Sequence, residues 1–266
     1  MLVSILILNY RSAQASVRCV EELMKQTIID EMEILVIDNH SEDDSIGILR
    51  NRLGHLPSVR IIETPGNHGF GYGYNTGARY ASGKYLLINN PDKILPPDGV
   101  EKLVAKIKND SSVGIIAPKL VHPDGSRRLS IRAYPRIVDV LARRSFLKML
   151  CPGCLRRYLM MDTDPEREAE VDWVVGGCFL ISKMLFDELG GFDERFFLFF
   201  EDTDMCRRAY ALGKSVLYYP AVVAADRRNR LSGESFWDLL FKKTGRIHVM
   251  SAIKYFWKWG VALKKS

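Results

Sequence analysis

Three aliphatic runs limit what this chain can fold into more than any other feature. Leu2–Leu8 (LVSILIL), Glu33–Ile37 (EILVI) and Tyr85–Asn89 (YLLIN) are aliphatic and β-branched enough to be buried on both faces, as strands of a helix-covered parallel sheet are. Each run stops at polar residues: Asn9-Tyr10-Arg11-Ser12, Asp38-Asn39-His40-Ser41 and Asn90-Pro91-Asp92. A helical segment from Ser12, a capping residue, to about Gln26 separates the first two runs and makes a βαβ unit. Ligands of open parallel sheets bind outside the carboxyl ends of the strands, so the polar clusters mark the functional edge.

A short strand, Val59–Glu63, leads into NHGFGYGYNTGAR, where Gly69, Gly71, Gly73 and Gly77 accompany a helix expected over about 74–81. The spacing is not GxGxxG directly after the first strand, so a dinucleotide fingerprint is rejected. Either these glycines let backbone amides approach a ligand, with Asn67 and Asn75 as hydrogen-bonding groups, or the stretch is a flexible loop. A helix over 98–108 and a strand over 113–117 follow. Residues 119–172 are turn-rich and basic and read as an insertion over the active face. Beyond it come VDWVVGGCFLIS (171–182), whose Gly176-Gly177 permits close backbone approach, a helix over 183–189 and a last strand over 215–219.

Between those last two elements lies GGFDERFFLFFEDTDMCRR (190–208), in which Asp193, Glu201, Asp202 and Asp204 surround four phenylalanines. A carboxylate beside apolar rings is desolvated and its pKa rises unless a partner holds it charged, which is how general bases are tuned. The other reading is an aromatic core segment entering a helix whose first turn is acidic to suit the helix dipole. Asn90 and Asp92, one residue apart at a strand end, suit a divalent cation, Mg²⁺ or Mn²⁺, with a diphosphate, or else a proline turn with a capping acid.

The net charge of +6, concentrated in the second half, suits anionic partners such as sugar-nucleotide phosphates, lipid diphosphates or an anionic membrane; no nucleic acid is expected. No run approaches the ~18 uninterrupted apolar residues of a membrane span, and the first ten residues read as a buried strand, so a cytoplasmic protein is expected. The five cysteines have no metal-ligand spacing; Cys151-Pro-Gly-Cys154 reads as a turn and reduced thiols are expected. Residues 236–265 mix Trp, Tyr and Lys on a helix, suiting either peripheral contact with the inner face of a cell membrane or packing back on the domain.

Taken in order, VSILILNYRS, ILVIDNHSEDDS, NHGFGYGYNTGAR, YLLINNPD and GGCFLISKMLFDELGGFDERFFLFFEDTDMCRRAYALGKSVLYYP resemble the family 2 glycosyltransferases, particularly the rhamnosyltransferase-like branch of bacterial O-antigen and cell-wall synthesis. The resemblance implies an α/β GT-A fold: a Rossmann-like, mixed, mostly parallel central sheet flanked by helices. Residues 1–225 would form the catalytic domain and 226–266 a C-terminal helical extension. It implies an inverting enzyme that moves a sugar, rhamnose above others, from a nucleotide-diphospho-sugar such as dTDP-rhamnose to a lipid-linked or growing saccharide. By that match Asn9 and Asp38 hold base and ribose, and Asn67, Gly69, Phe70 and Asn75 line the donor. Asp92 is the last acid of the metal motif, Asp202 the catalytic base, and Trp173, Gly176 and Gly177 the wall where donor sugar meets acceptor. Glu201 and Asp204 are then supports or acceptor contacts.

Two departures stand out. Asn90 replaces an Asp found in many relatives. The His that often follows the Tyr219-Pro220 strand end is absent from Val222-Val223-Ala224-Ala225-Asp226-Arg227-Arg228. Asp226 could stand in after a small register shift, or Arg227 and Arg228 could grip the diphosphate directly. If neither holds, the chain is a weak or inactive relative that binds carbohydrate or nucleotide.

Overall fold

Residues 1–142, 151–227 and 243–260 are described by a computed structural model. Arg228, the basic stretch 143–150 and the final Lys264 and Lys265 lie outside the described residues. The aliphatic runs form the middle of a nine-stranded sheet: β1 (Val3–Asn9), β2 (Met32–Asp38), β3 (Val59–Glu63), β4 (Tyr85–Asn89), β5 (Lys93–Ile94), β6 (Val113–Val121), β8 (Ala169–Glu170), β10 (Cys178–Ser182) and β11 (Ser215–Asp226). Its order is β3-β2-β1-β4-β10-β6-β11-β5, with β8 beside β11. The β3-β2-β1-β4 half is parallel, whereas β10 runs antiparallel to both neighbours. A small second sheet pairs β7 (Ile131–Arg132) with β9 (Trp173–Val174).

Alternation along the strands feeds two cores. Ile5 and Ile7 face a layer with α1 (Ala13–Leu23) and α4 (Gly99–Asn109), while Leu6 faces α3 (Phe70–Arg79) and α8 (Glu201–Ala211). The remaining α-helices among the described residues are α2 (Ser45–Leu53), α5 (Ile137–Ala142), α6 (Pro152–Tyr158), α7 (Lys183–Glu188) and α9 (Lys243–Trp259).

The structure departs from the sequence reading in four places. The helix expected over 74–81 starts at Phe70, because Gly69, at φ +110°, ends the preceding loop. Its glycines serve packing within the fold: a Cβ at Gly73 would lie 2.3 Å from Leu8 Cδ1, and one at Gly77 2.6 Å from Ile37 Cδ1. The last strand continues past Pro220 to Asp226 through a register break between Tyr219 and Val223. Residues 119–172 are woven into the sheet, since β6 reaches Val121 and β8 pairs with β11. Cys151 and Cys154, expected to be reduced, are joined in a disulfide at the start of α6, where the Pro-Gly turn brings their Cα atoms to 5.4 Å.

Of the two readings of the C-terminal aromatic helix, the described residues show packing. α9 lays Ala252 and Tyr255 on Phe196 and Phe200, and its His248 ring meets Phe199 and Phe200. Among the described residues no helix is long and apolar enough to cross a membrane.

Two glycines separate backbone constraint from mere smallness. At Gly69 a Cβ would sit 2.3 Å from the Phe197 carbonyl oxygen at a φ that side chains avoid, so Gly69→Ala should lower stability by about 1–3 kcal/mol. Gly47, inside α2, has nothing within 4 Å of its Cβ position, so Gly47→Ala should raise stability by about 0.4–1 kcal/mol. Denaturant midpoints of the two variants check both signs.

Candidate active site

The polar strand ends meet where expected. Asn9 and Asp38 are register partners on β1 and β2, and Asn9 Nδ2 donates to Asp38 Oδ1 at 2.7 Å. Asp38 Oδ2 accepts the Ser41 N–H at 2.9 Å, and Asn9 Oδ1 accepts the Ser16 hydroxyl at 2.9 Å. Asn9 is fully buried, so it orients Asp38. Arg11 and His40, just past the two strand ends, hold left-handed backbone at φ 51° and 58°, a strain that tends to gather at functional edges.

Gly176 and Gly177 form the centre of the site. The Gly176 N–H donates to Asp202 Oδ2 at 2.7 Å, and a Cβ there would lie 2.9 Å from the Asp202 Cβ. On the other side, Gly177 O accepts the Asn90 N–H at 2.7 Å, and a Cβ on Gly177 would lie 2.9 Å from Lys93 Cε. One dipeptide therefore joins the expected base to the expected diphosphate loop, and a side chain at either position would have to displace Asp202 or the end of Lys93. Trp173, three residues earlier, is buried, with Nε1 donating to the Ala133 carbonyl at 3.0 Å; it supports the wall from inside.

Asp202 stands in the first turn of α8 behind an unusual entry. Phe199 and Phe200 both hold φ 71°, a left-handed pair costing about 1–2 kcal/mol each. The kink turns the chain so that Glu201 and Asp202 sit side by side at the positive end of the helix dipole. Asp202 Oδ1 accepts the Thr203 N–H at 2.7 Å. Burial raises the pKa of Asp202, with the Gly176 and Thr203 donors opposing it. Glu201 is pushed further up, by burial and by the neighbouring Asp202 charge, and its Oε2 is buried without a hydrogen-bond partner. Of the pair, Asp202 is the member whose ionised form has hydrogen-bond donors to sustain it.

The remaining predicted residues hold this segment in place. Asn75 grips the turn before it: its Oδ1 accepts Phe192 N–H at 2.8 Å, and its Nδ2 donates to Phe192 O at 2.9 Å and Glu194 Oε1 at 2.9 Å. Phe70 N–H donates to Phe197 O at 2.8 Å, while Asn67 Oδ1 accepts from Gly69 N and Asn39 Nδ2. Asp204 is fully buried. Its Oδ1 accepts Trp259 Nε1 at 2.7 Å and pairs with Lys258 at 2.7 Å, and its Oδ2 accepts Arg208 Nε at 2.8 Å, so it docks α9.

At the diphosphate loop, Lys93, overlooked in the sequence, is the central group. It is 5% exposed, with Nζ 2.9 Å from Asp92 Oδ2 and 3.0 Å from Asp226 Oδ1. Asp226, across the β5–β11 pair, also binds Arg128 and so does not replace the absent His as a metal ligand. Asn90 Oδ1 accepts the Tyr74 hydroxyl at 2.9 Å. Asp92 Oδ1 is buried without a hydrogen-bond partner, the one feature here that suits a cation. Yet no group of three His, Cys, Asp or Glu could hold a metal among the described residues. A divalent cation at Asp92 would also stand within a few ångströms of the Lys93 ammonium, where repulsion is worth several kcal/mol even at an effective dielectric of about 20. The residues present do not fit a metal centre. Beside Asp92 opens a cleft of about 160 Å³ lined by Ser12, Arg18 and Arg227 among others. Arg227 was expected here, whereas Arg18, on α1, was not. Lys93 follows Asn-Pro-Asp and precedes only Ile94-Leu95, so the sequence holds no signal that it is buried.

Comparison with known proteins agrees with this architecture. The model of glycosyl transferase family 2 matches residues 4–190. The chain is 27% identical over 219 residues to the N-acetylglucosaminyl-diphospho-decaprenol L-rhamnosyltransferase of Mycobacterium tuberculosis, covering 76% of this chain and 68% of that one. It is also 27% identical to rhamnosyltransferase WbbL of Escherichia coli K12, covering 84% and 81%. Among solved structures, the mannosyltransferase PcManGT of Pyrobaculum calidifontis, in complex with GDP-Man and Mn²⁺, superposes with a TM-score of 0.62 at 18% identity, over 95% of this chain and 64% of that one. The family match spans well over half the chain and the fold is shared with GT-A enzymes, so this chain belongs to glycosyl transferase family 2 and is a glycosyltransferase.

Proposed function

We propose that this enzyme is an inverting transferase that moves rhamnose from dTDP-rhamnose to a lipid-linked saccharide, with Asp202 as its base. The observation that carries the reading is the carboxylate of Asp202 held by the Gly176 N–H, next to the residue that packs on Lys93 and Asn90. In such a transfer the acceptor hydroxyl gives its proton to Asp202, and its oxygen bonds to the anomeric carbon. The bond from that carbon to the diphosphate breaks, and the electron pair leaves with the nucleoside diphosphate. One carboxylate suffices because no covalent intermediate forms. A carboxylate has about four lone-pair directions, so Gly176 and Thr203 still leave Asp202 a site for the acceptor hydroxyl.

The named relatives support rhamnose as the sugar and a diphospho-polyprenol as the kind of acceptor. Asp38 lies at the strand end where the nucleoside would be held, and the cationic cleft beside Asp92 suits the diphosphate. Peripheral contact with an anionic membrane is in keeping with the outer face of α9, where Met250, Ile253 and Trp257 are exposed. Incubation with dTDP-rhamnose, UDP-N-acetylglucosamine and GDP-mannose, each with a polyprenyl-diphosphate-linked saccharide, tests the reading by nucleoside diphosphate release. Absence of release from all three would leave a binding protein on an enzyme fold.

Asp202→Asn keeps an oxygen for the Gly176 donor and removes the base, so kcat should fall by about 10²–10⁴-fold with nucleoside diphosphate affinity little changed. Retention of activity within tenfold would exclude Asp202 as the base. In the wild type the acid limb of the rate profile should lie above the ordinary carboxylate range, because burial raises the pKa of Asp202 and the base works only when deprotonated.

Glu201 gives a separate pH signature. Its folded-state pKa is raised, so the unfolded chain ionises first as pH increases from about 4. Its contribution to stability is complete below that point and is lost as pH rises toward its folded pKa. Glu201→Gln should therefore melt a few degrees above wild type near pH 7.5, the gap closing near pH 4, as thermal scans at the two pH values would record.

A further inference from the structure

Lys93 is an unexpected residue for the deepest part of a diphosphate site. A single ammonium, almost wholly buried, bridges Asp92 at 2.9 Å and Asp226 at 3.0 Å, one acid between β4 and β5 and the other at the end of β11. Its stem packs where a Gly177 Cβ would be, which places the charge against the same Gly-Gly turn that positions Asp202. The strand pairing Asp226 with Lys93 fixes the arrangement, and the Arg227 N–H donates to Asp92 O at 3.0 Å to close it. Asp226 is further neutralised by Arg128. The acids that could have held a divalent cation are thus already matched by protein cations, apart from the Oδ1 of Asp92.

The adjoining cleft carries positive charge of its own. Arg18 from α1 and Arg227 from the end of β11 line it with Asp92, and among the described residues neither guanidinium has an acidic partner within ion-pair distance. Guanidinium groups match phosphate oxygens in pairs and keep their charge at any working pH. Lys93 and Arg128 offset Asp92 and Asp226, which leaves the two guanidinium groups of the cleft to supply the electrostatic stabilisation that a departing dianion needs.

We propose that this chain neutralises the leaving diphosphate with Arg18 and Arg227, with Lys93 standing in the place of a cation between Asp92 and Asp226, and that it binds and transfers without a divalent metal. The proposal rests on the sugar-nucleotide reading above and adds how that site handles charge. In the displacement the pair of electrons from the broken anomeric bond stays on the diphosphate, whose charge the two guanidinium groups balance, and the acceptor proton goes to Asp202.

Calorimetric titration of the full chain with dTDP, UDP and GDP, in EDTA and then in Mn²⁺, provides the test, together with titration of Mn²⁺ alone followed by its spin-resonance signal. The expected result is one nucleoside diphosphate whose Kd agrees within threefold between EDTA and Mn²⁺, with no Mn²⁺ bound in its absence. Lys93→Met should weaken that binding at least tenfold in EDTA and regain it in Mn²⁺, because Asp92 is then open to a cation. Arg227→Ala, an exposed change, should weaken binding at least tenfold in both conditions, and it carries the test should Lys93→Met not fold. Wild-type binding at least tenfold tighter in Mn²⁺, or Mn²⁺ bound alone and lost in Asp92→Asn, would overturn the proposal and leave the sugar-nucleotide reading standing. Failure of all three diphosphates to bind in either condition would overturn both.

Discussion

The left-handed pair Phe199–Phe200 is the constraint on which the site depends. Two consecutive bulky residues at φ 71° persist only if the surroundings over-determine them, and here they are gripped from two sides. On one side the Gly69–Phe70 turn donates to Phe197 O, and Asn75 fixes the chain at Phe192. On the other, α9 covers Phe196 and Phe200 with Tyr255, and Ser251 donates to the Leu198 carbonyl at 2.9 Å. The outcome is an abrupt helix start that presents Glu201 and Asp202 to the Gly-Gly turn. Much of what the sequence suggested as donor-binding machinery, Asn67, Gly69, Phe70 and Asn75, is engaged in holding that kink.

Charge is distributed by the same logic. Asp204 is two residues from Asp202, yet Arg208, Lys258 and Trp259 engage both its oxygens, so it adds no free negative charge there. Glu201 is left without such partners, and burial together with the Asp202 charge raises its pKa. Asp92 and Asp226 are balanced by Lys93 and Arg128. Of the acids around the cleft, Asp202 combines partial exposure with donors that sustain its ionised form.

How much of the fold and the site is legible in the sequence follows from interaction range. Strand runs and their polar ends are local patterns, so the order of residues alone places Asn9, Asp38 and Asn90 at one edge and marks the acid cluster at 201–204. The helix start at Phe70 is harder to read because glycine looks like a breaker in one dimension. Its value at Gly73 is a backbone so near Leu8 that a methyl group would lie 2.3 Å from that side chain. Lys93 is invisible for the opposite reason. Nothing near it in sequence says that a lysine is buried; that depends on a partner 133 residues on and on a two-residue strand too short to announce itself.

The C-terminal helix shows how a remote segment comes to hold the acid-rich one before and within α8. Trp259 and Lys258 reach Asp204, Lys258 also pairs with Asp193, and Lys254 donates to the Arg195 carbonyl at 2.7 Å, so α9 is tied along the whole segment from 193 to 204. Arg207 lies over the rings of Tyr134, Tyr255 and Trp259, joining the region after β7, α8 and α9 through one guanidinium. The aromatic and basic character that suggested a membrane surface is, on this face of the helix, consumed by the enzyme's own acids and rings. The membrane argument is left to the opposite face, where Met250, Ile253 and Trp257 point away from the domain. What α9 does for the fold is done by its inner face, whose Tyr255, Lys258 and Trp259 hold the segment from which α8 starts.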